Sequence, residues 1–348
     1  MVPLLRGTTD AVSGLRRMAA HTAAHTVSLM TAIAPAQEIE HASIDVRGPA
    51  SAAIETRALG KRYGRHDALR HLDLRVERGE VFGFIGPNGA GKTTTIRLLL
   101  DLIRPTSGAA RVLGHDVRRD GVEVRRRVGY LPGDLALYED MTAAQMLAYL
   151  ARLRARPEID VRPLADRLSL DLHRPIRALS RGNKQKVGIV QAFMHDPELL
   201  ILDEPTTGLD PLMQHELSLM IGEVRARGRT VFLSSHVLDD VERLADRVGL
   251  LRDGRLVLVD DVGALKARVS RRLELHFADP PPPGVFEGLP GVRAVEQAGD
   301  RVTLTLAGPV DAVLKAAARF RVLTLNSHEP DLEDIFLELY EGGDLDDR

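Results

Sequence analysis

Cysteine and tryptophan are absent from the 348-residue chain, and aromatic residues make up only 4% of it. Without cysteine there is no disulfide framework, no thiolate metal site and no cysteine nucleophile, a pattern that suits a reducing compartment. No run of about 18 apolar residues occurs, so no segment is expected to cross a membrane by itself. Neither sign of charge is in excess: 47 Lys and Arg stand against 49 Asp and Glu, a formal net charge of −2. That balance argues against a strongly basic nucleic-acid binder and against an acidic disordered chain. What is present is a 44% apolar content, enough for real cores, in a length that suggests two domains.

The first 50 residues contain no aromatic side chain; Tyr63 is the first in the chain. Arg16 and Arg17, an Ala/Thr run and Ala34-Pro35-Ala36 faintly outline an export signal, but His21, His25 and the threonines interrupt its apolar centre. Residues 1–50 are therefore expected to be a disordered extension. His21 and His25 have i,i+4 spacing, yet nothing nearby completes a metal site, so they read as solvated.

From Ile54 onward, short apolar runs alternate with helical patterns. Val81-Phe82-Gly83-Phe84-Ile85, Leu199-Leu200-Ile201-Leu202 and Thr230-Val231-Phe232-Leu233 read as buried strands. Ile96, Leu99, Leu100 and Ile103 fall on one helix face, as do Met213, Leu217, Met220, Ile221 and Val224. Val237, Val241, Leu244, Ala245 and Val248 predict a third helix. Strands alternating with helices imply an α/β fold with a parallel sheet covered on both faces. A hairpin is expected over Gly249–Asp260, turning at Asp253-Gly254. The composition shifts near residue 270, where four prolines, Pro280–Pro283, precede alternating segments at Val292–Glu296 and Val302–Leu306. A helix on Val310, Val313, Leu314 and Ala317 and another on Leu332, Ile335, Phe336 and Leu339 complete a small C-terminal α+β region. The expected organisation is thus an extension at 1–50, a first α/β domain at 51–268 and an accessory α+β domain at 269–348.

Gly86-Pro87-Asn88-Gly89-Ala90-Gly91-Lys92-Thr93, followed by Thr94, matches the phosphate-loop pattern in full, between a buried strand and an amphipathic helix. Glycines let backbone N–H groups surround an anion, and the helix N-terminus adds positive potential. Lys92 is expected to reach the β- and γ-phosphates of a nucleotide and the Thr93 hydroxyl to bind Mg²⁺. Asp203 and Glu204 end an apolar strand, at the sheet edge where α/β folds hold ligands. Asp203 is expected to help hold Mg²⁺ and Glu204 to polarise the attacking water. His236 follows Ser234-Ser235 at the end of the next strand, along the same edge.

Leu179-Ser180-Arg181-Gly182-Asn183-Lys184-Gln185-Lys186, just before a helix, resembles the signature loop of ATP-binding-cassette (ABC) proteins, P-loop NTPases with a helical subdomain. The resemblance covers about residues 54–265, with every motif in order. It implies that ATP is sandwiched between the phosphate loop of one copy and the signature loop of another, Ser180 and Gly182 touching the γ-phosphate. It further implies that Gly208-Leu209-Asp210 is the D-loop, His236 the switch histidine and Tyr63 the ring that stacks on adenine. Two departures stand out. Arg181 and Asn183 replace the usual Gly and Gln of the signature. In Tyr130-Leu131-Pro132-Gly133-Asp134 the family's Gln near Gly133, which contacts Mg²⁺ and couples to the membrane subunit, is missing; Asp134 is the candidate replacement.

Ser327-His328-Glu329-Pro330-Asp331-Leu332-Glu333-Asp334-Ile335-Phe336 resembles the ending of ATPase subunits of ABC-2-type exporters, the drug and antibiotic resistance group. It also reads as a packing helix with Asp331 as its N-cap. The resemblance implies an ATPase that powers a separate transmembrane permease as a homodimer, at the cytoplasmic face of the cell membrane, with no nucleic acid involved. A soluble ABC ATPase acting on ribosomes or DNA is the rival. Such proteins carry two cassettes or a long coiled coil between phosphate loop and acidic strand, and this sequence shows one cassette and no heptad run. A small-molecule kinase would share the phosphate loop but needs no signature loop.

Overall fold

The computed structural model describes residues 52–268, 271–328 and 332–333. The expected extension at 1–50, and Asp331, Ile335, Phe336 and Leu339 of the expected last helix, lie outside the described residues.

The central sheet holds the motifs. Its strands β3 (Val81–Ile85), β6 (Val128–Leu131), β7 (Leu199–Asp203), β8 (Thr230–Ser235) and β9 (Arg247–Arg252) run parallel in the order β9-β3-β8-β7-β6. A last strand, β10 (Arg255–Asp261), pairs antiparallel with β9 through the turn at Asp253 and Gly254. Every residue of β3, β7 and β8 is buried, which is why these strands read as unbroken apolar runs. Alternate side chains feed two cores. Val81, Ile85, Leu200, Leu202, Val231 and Leu233 face the helices Arg181–Phe193 and Pro211–Ala226. Phe82, Phe84, Leu199, Ile201 and Phe232 face the helix Lys92–Leu99 and a second sheet. Phe232 packs 5.8 Å from Phe82 and 5.2 Å from Phe84 between ring centroids.

That second sheet is antiparallel, β2-β1-β4-β5, built from β1 (Ala52–Tyr63), β2 (His66–Glu77), β4 (Ser107–Val112) and β5 (His115–Asp116). The sequence pattern predicts a parallel sheet and gives no sign of this one. Its strands are bulged, with register shifts at several points along β1, and the bulges break the period of two on which strand recognition rests. Between β6 and β7 the chain forms a helical layer, opened by the helix Ala143–Leu153. Thr142 and Gln145 close a reciprocal capping box at its start, satisfying two backbone donors.

The expected helix through Val248 is corrected. The helix is Leu238–Leu244; Val237 precedes it and is exposed, while Val248 belongs to β9. Asp246 ends the helix by exchanging bonds with β3: its Oδ2 accepts the Val81 N–H at 2.9 Å and its own N–H donates to the Val81 carbonyl at 2.8 Å. This draws the chain into the sheet two residues before the i,i+4 pattern runs out at Val248.

Residues 271–328 form a third sheet around their own apolar centre. Strands β11 (Arg271–Phe277), β12 (Val292–Ala298), β13 (Arg301–Leu306) and β14 (Val322–His328) pair antiparallel in the order β12-β13-β11-β14. Leu273, Leu275, Phe277, Val302, Leu304 and Leu306 pack there with Val313 of the helix Asp311–Ala317. Leu332 is buried in the first core, and its N–H donates to Oε2 of Glu242 at 2.9 Å.

Candidate active site

Gly86-Pro87-Asn88-Gly89-Ala90-Gly91 leaves β3 as a loop clamped by its neighbours. A Cβ at Gly86 would lie 2.2 Å from the Leu251 carbonyl oxygen, and one at Gly91 would lie 2.5 Å from that of Ala68. Gly91 also has φ +111°, a conformation that only glycine adopts freely. Pro87, Asn88 and Gly89 are exposed, Thr94 is half-buried, and the Ala90 carbonyl accepts the Gly254 N–H at 3.0 Å. Lys92 opens the following helix and is 6% exposed. Its ammonium donates to the carbonyls of Gly86 at 2.6 Å and Pro87 at 3.3 Å, and lies 3.7 Å from Glu204 Oε1. Burial lowers the Lys92 pKa, against the opposing pull of Glu204 and Asp203.

Asp203 is 1% exposed, with both carboxylate oxygens occupied. Thr93 Oγ1 donates to Oδ2 at 2.9 Å and Ser234 Oγ donates to Oδ1 at 2.5 Å. Ser234 is a site residue that the sequence does not single out. Its place follows from the parallel register, in which Asp203 stands opposite Ser234 across β7 and β8. Glu204 has a left-handed backbone, φ +52°. Its carboxylate lies between Lys92 and His236, whose Nδ1 is 2.7 Å from Oε2. Lys92, Thr93, Asp203, Glu204 and His236 therefore form one contiguous constellation. Thr93 and Asp203 present only oxygen donors, the set that suits a hard divalent cation held jointly with phosphate oxygens and water.

No hydrogen bond, ion pair or ring contact joins Tyr63, Ser180 or Gly182 to that constellation among the described residues. Tyr63 ends β1 and is 46% exposed, with the Lys61 ammonium 5.0 Å from its ring centroid. Ser180 caps the helix Arg181–Phe193, its Oγ accepting the Asn183 N–H at 3.3 Å. Gly182 meets the Gly208 turn so closely that a Cβ would lie 2.6 Å from the Gly208 carbonyl oxygen. Asp210 caps the next helix, accepting the Met213 N–H at 3.0 Å. Both loops present exposed helix starts. Gly133 lies beside the constellation: a Cβ there would be 3.4 Å from Asp203 Oδ2.

The family described as ABC transporter matches residues 69–207. A bacitracin transport ATP-binding protein of Bacillus licheniformis is 38% identical over 233 residues, 66% of this chain and 76% of that protein. A daunorubicin resistance ATP-binding protein of Streptomyces coeruleorubidus is 35% identical over 306 residues, 83% of this chain and 96% of that protein. Among solved structures, an ATP-binding subunit of an ABC transporter superposes with a TM-score of 0.58 at 34% identity, covering 62% of this chain and 92% of its own. With Lys92 and Thr93 of the phosphate loop, Asp203, Glu204 and His236 brought together and these relatives matched over most of their length, the chain belongs to the ABC transporter family and is one of its ATP-hydrolysing subunits.

Proposed function

We propose that this chain hydrolyses MgATP as a homodimer and thereby drives a separate transmembrane permease that exports drugs, antibiotics or similar lipophilic molecules. The single observation that carries the catalytic part is the placement of Glu204 between Lys92 and His236, one residue after the Asp203 that holds Thr93. Water attacks the γ-phosphorus, its proton passes to the Glu204 carboxylate, and the bond from phosphorus to the β,γ-bridging oxygen breaks, leaving ADP with the electron pair. Thr93 and Asp203 would hold Mg²⁺, which would supply positive charge to the phosphate oxygens. His236 is positioned to hold Glu204 and to meet the γ-phosphate. Tyr63 offers its exposed ring to adenine. The sandwich is supported by the exposure of Ser180 at the N-terminus of the helix Arg181–Phe193, a start that favours an anion and that a second copy's nucleotide would meet.

Export is supported by the relatives, which include transport proteins named for bacitracin, daunorubicin and a Nod factor. No described helix is long and apolar enough to cross a membrane; the proposal assigns the permease to a separate chain, with this subunit working through it at the cytoplasmic face. The surface for docking lies beside Gly133 and Asp134. The sequence suggests Met146, Leu147 and Leu150 of the helix Ala143–Leu153 as one wall of that groove, but Met146 and Leu147 are buried in the core and Leu150 packs against it, while Tyr138, Tyr149 and Leu153 are exposed, the two rings edge-to-face at 5.9 Å. Asp134→Ala tests the reading. ATP affinity and the rate of the isolated subunit should stay within about two-fold, while stimulation by the permease in lipid vesicles falls, because closure moves only a partner that binds the two states differently. An equal loss in the isolated subunit would place Asp134 in the catalytic centre instead. Failure of any membrane protein to co-purify from native membranes would count against the transporter reading itself.

A further inference from the structure

Where the family places its glutamine, Gly133 leaves space against Asp203. Arg97, Tyr130 and Arg181 line that space together with Thr93, Asp203 and Glu204. Arg97 stands four residues after Thr93 on the same helix, so one turn puts both on one face. Arg181 opens the signature helix. Its aliphatic stem runs past Gly208, where a Cβ would lie 3.6 Å from Arg181 Cγ, and the residue lines its own chain's cavity. Neither arginine has a hydrogen bond or ion pair among the described residues.

Of the three carboxylates that line the cavity, Asp134 is exposed at its rim and the other two are already engaged. Asp203 accepts two hydroxyls, and Glu204 lies between Lys92 and His236. Two exposed arginines with no hydrogen bond or ion pair among the described residues thus line one cavity beside Asp203 and Glu204. Their planar fork matches the oxygens of a phosphate group, and a cation cannot take over the metal contact of the missing glutamine. We infer that Arg97 and Arg181 of a single chain form an oxyanion clamp that takes a tetrahedral phosphate group. The group is either the γ-phosphoryl of bound ATP or the orthophosphate that hydrolysis leaves behind. The clamp rests on hydrolysis at Glu204 and is independent of what the permease carries.

The test uses the full chain with Arg97→Gln, Arg181→Gln and Gly133→Gln, the last filling the cavity while leaving both arginines in place. Three quantities are read: kcat and KM for ATP, inhibition by orthophosphate, and equilibrium dialysis of radiolabelled orthophosphate against the ADP-bound protein. Dialysis needs no turnover, so a failure of the ATPase reading shows separately, as absent hydrolysis in the unsubstituted chain. If the clamp holds product, each arginine variant weakens orthophosphate binding and inhibition by about ten-fold, with KM for ATP within two-fold, and Gly133→Gln does the same. If it holds the γ-phosphoryl, kcat falls by about ten-fold at unchanged orthophosphate binding. Thermal midpoints stay at the unsubstituted value in both arginine variants, since neither side chain supports the fold. Arginine variants that change neither kcat nor orthophosphate binding overturn the clamp.

Discussion

Replacing Glu204 with Gln keeps the shape of the side chain and removes its ability to take a proton. In the structure this carboxylate is 20% exposed and has two nitrogen neighbours, the Lys92 ammonium at 3.7 Å and the His236 ring at 2.7 Å. His236 is half exposed, so its share of the fold's stability is under about 1 kcal/mol. Lys92 keeps the carbonyls of Gly86 and Pro87 and is not stranded. Glu204→Gln should therefore fold, with a melting midpoint lowered by only about 2–4 °C. Hydrolysis should respond very differently. A positioned general base contributes roughly 10²–10⁴-fold, or about 3–5 kcal/mol of barrier, and kcat should fall by that factor. Removing a negative charge beside the triphosphate should hold or tighten ATP binding, so the ATP-bound dimer accumulates. The assay is steady-state ATPase activity together with sedimentation velocity, each with and without MgATP. A fall in kcat smaller than about ten-fold would refute the assignment of Glu204 as base. A variant that remains monomeric at saturating ATP would refute assembly of the sandwich by this chain alone.

Lys92→Ala removes the buried cation of the phosphate loop and should weaken MgATP binding by roughly 1.5–3 kcal/mol or more, about 10–150-fold, with no measurable turnover. Unchanged hydrolysis would remove Lys92 from the site. His195 is 8% exposed with its Nε2 3.2 Å from the Val128 carbonyl, and burial, with Arg154 nearby, pushes its pKa down to about 4 from 6.5. The unfolded chain takes up that proton between pH 6.5 and 4 while the folded chain does not, so up to about 3 kcal/mol of stability, present above pH 6.5, is lost as pH falls through this window. Thermal melts of His195→Gln over that range should show a shallower acid limb, and curves parallel to those of the unsubstituted protein would show that His195 does not drive it.

The strands that carry the site were legible because they are buried on both faces: β3, β7 and β8 leave no polar position to confuse their reading. The phosphate loop was legible because its glycines are enforced by backbone neighbours at Leu251 and Ala68. The antiparallel sheet was not, since Ala58 has φ +45° within β1 and its N–H turns to the Asp73 carboxylate at 2.7 Å, which breaks the alternation. Ser234 and Arg97 were hidden for another reason. Their roles come from strand register and helix packing, which bring together residues far apart in sequence, and neither belongs to a local motif. Val248 misled because a strand residue four positions after Leu244 satisfies a helical spacing by coincidence.

The backbone at Glu204 explains how two adjacent carboxylates serve two adjacent residues. Along a regular strand successive side chains point to opposite faces, so an extended Glu204 would follow Leu202, away from the loop that Asp203 faces. Instead φ turns to +52° at Glu204, and the chain is held there by two bonds. The Glu204 N–H donates to the Ser234 carbonyl at 3.1 Å, and the Glu204 carbonyl accepts the Thr207 N–H at 3.2 Å. A left-handed non-glycine residue costs about 1–3 kcal/mol and persists only where its surroundings enforce it. Here the return is geometric: Asp203 reaches Thr93 while Glu204 reaches Lys92, its immediate neighbour. The same residue of β8 that holds the Asp203 carboxylate through its hydroxyl holds the Glu204 backbone through its carbonyl. Two residues later His236 meets the Glu204 side chain. The end of β8 thus fixes both carboxylates, and the strain at Glu204 is what lets a single strand end turn both toward the first residues of one helix, Lys92 and Thr93.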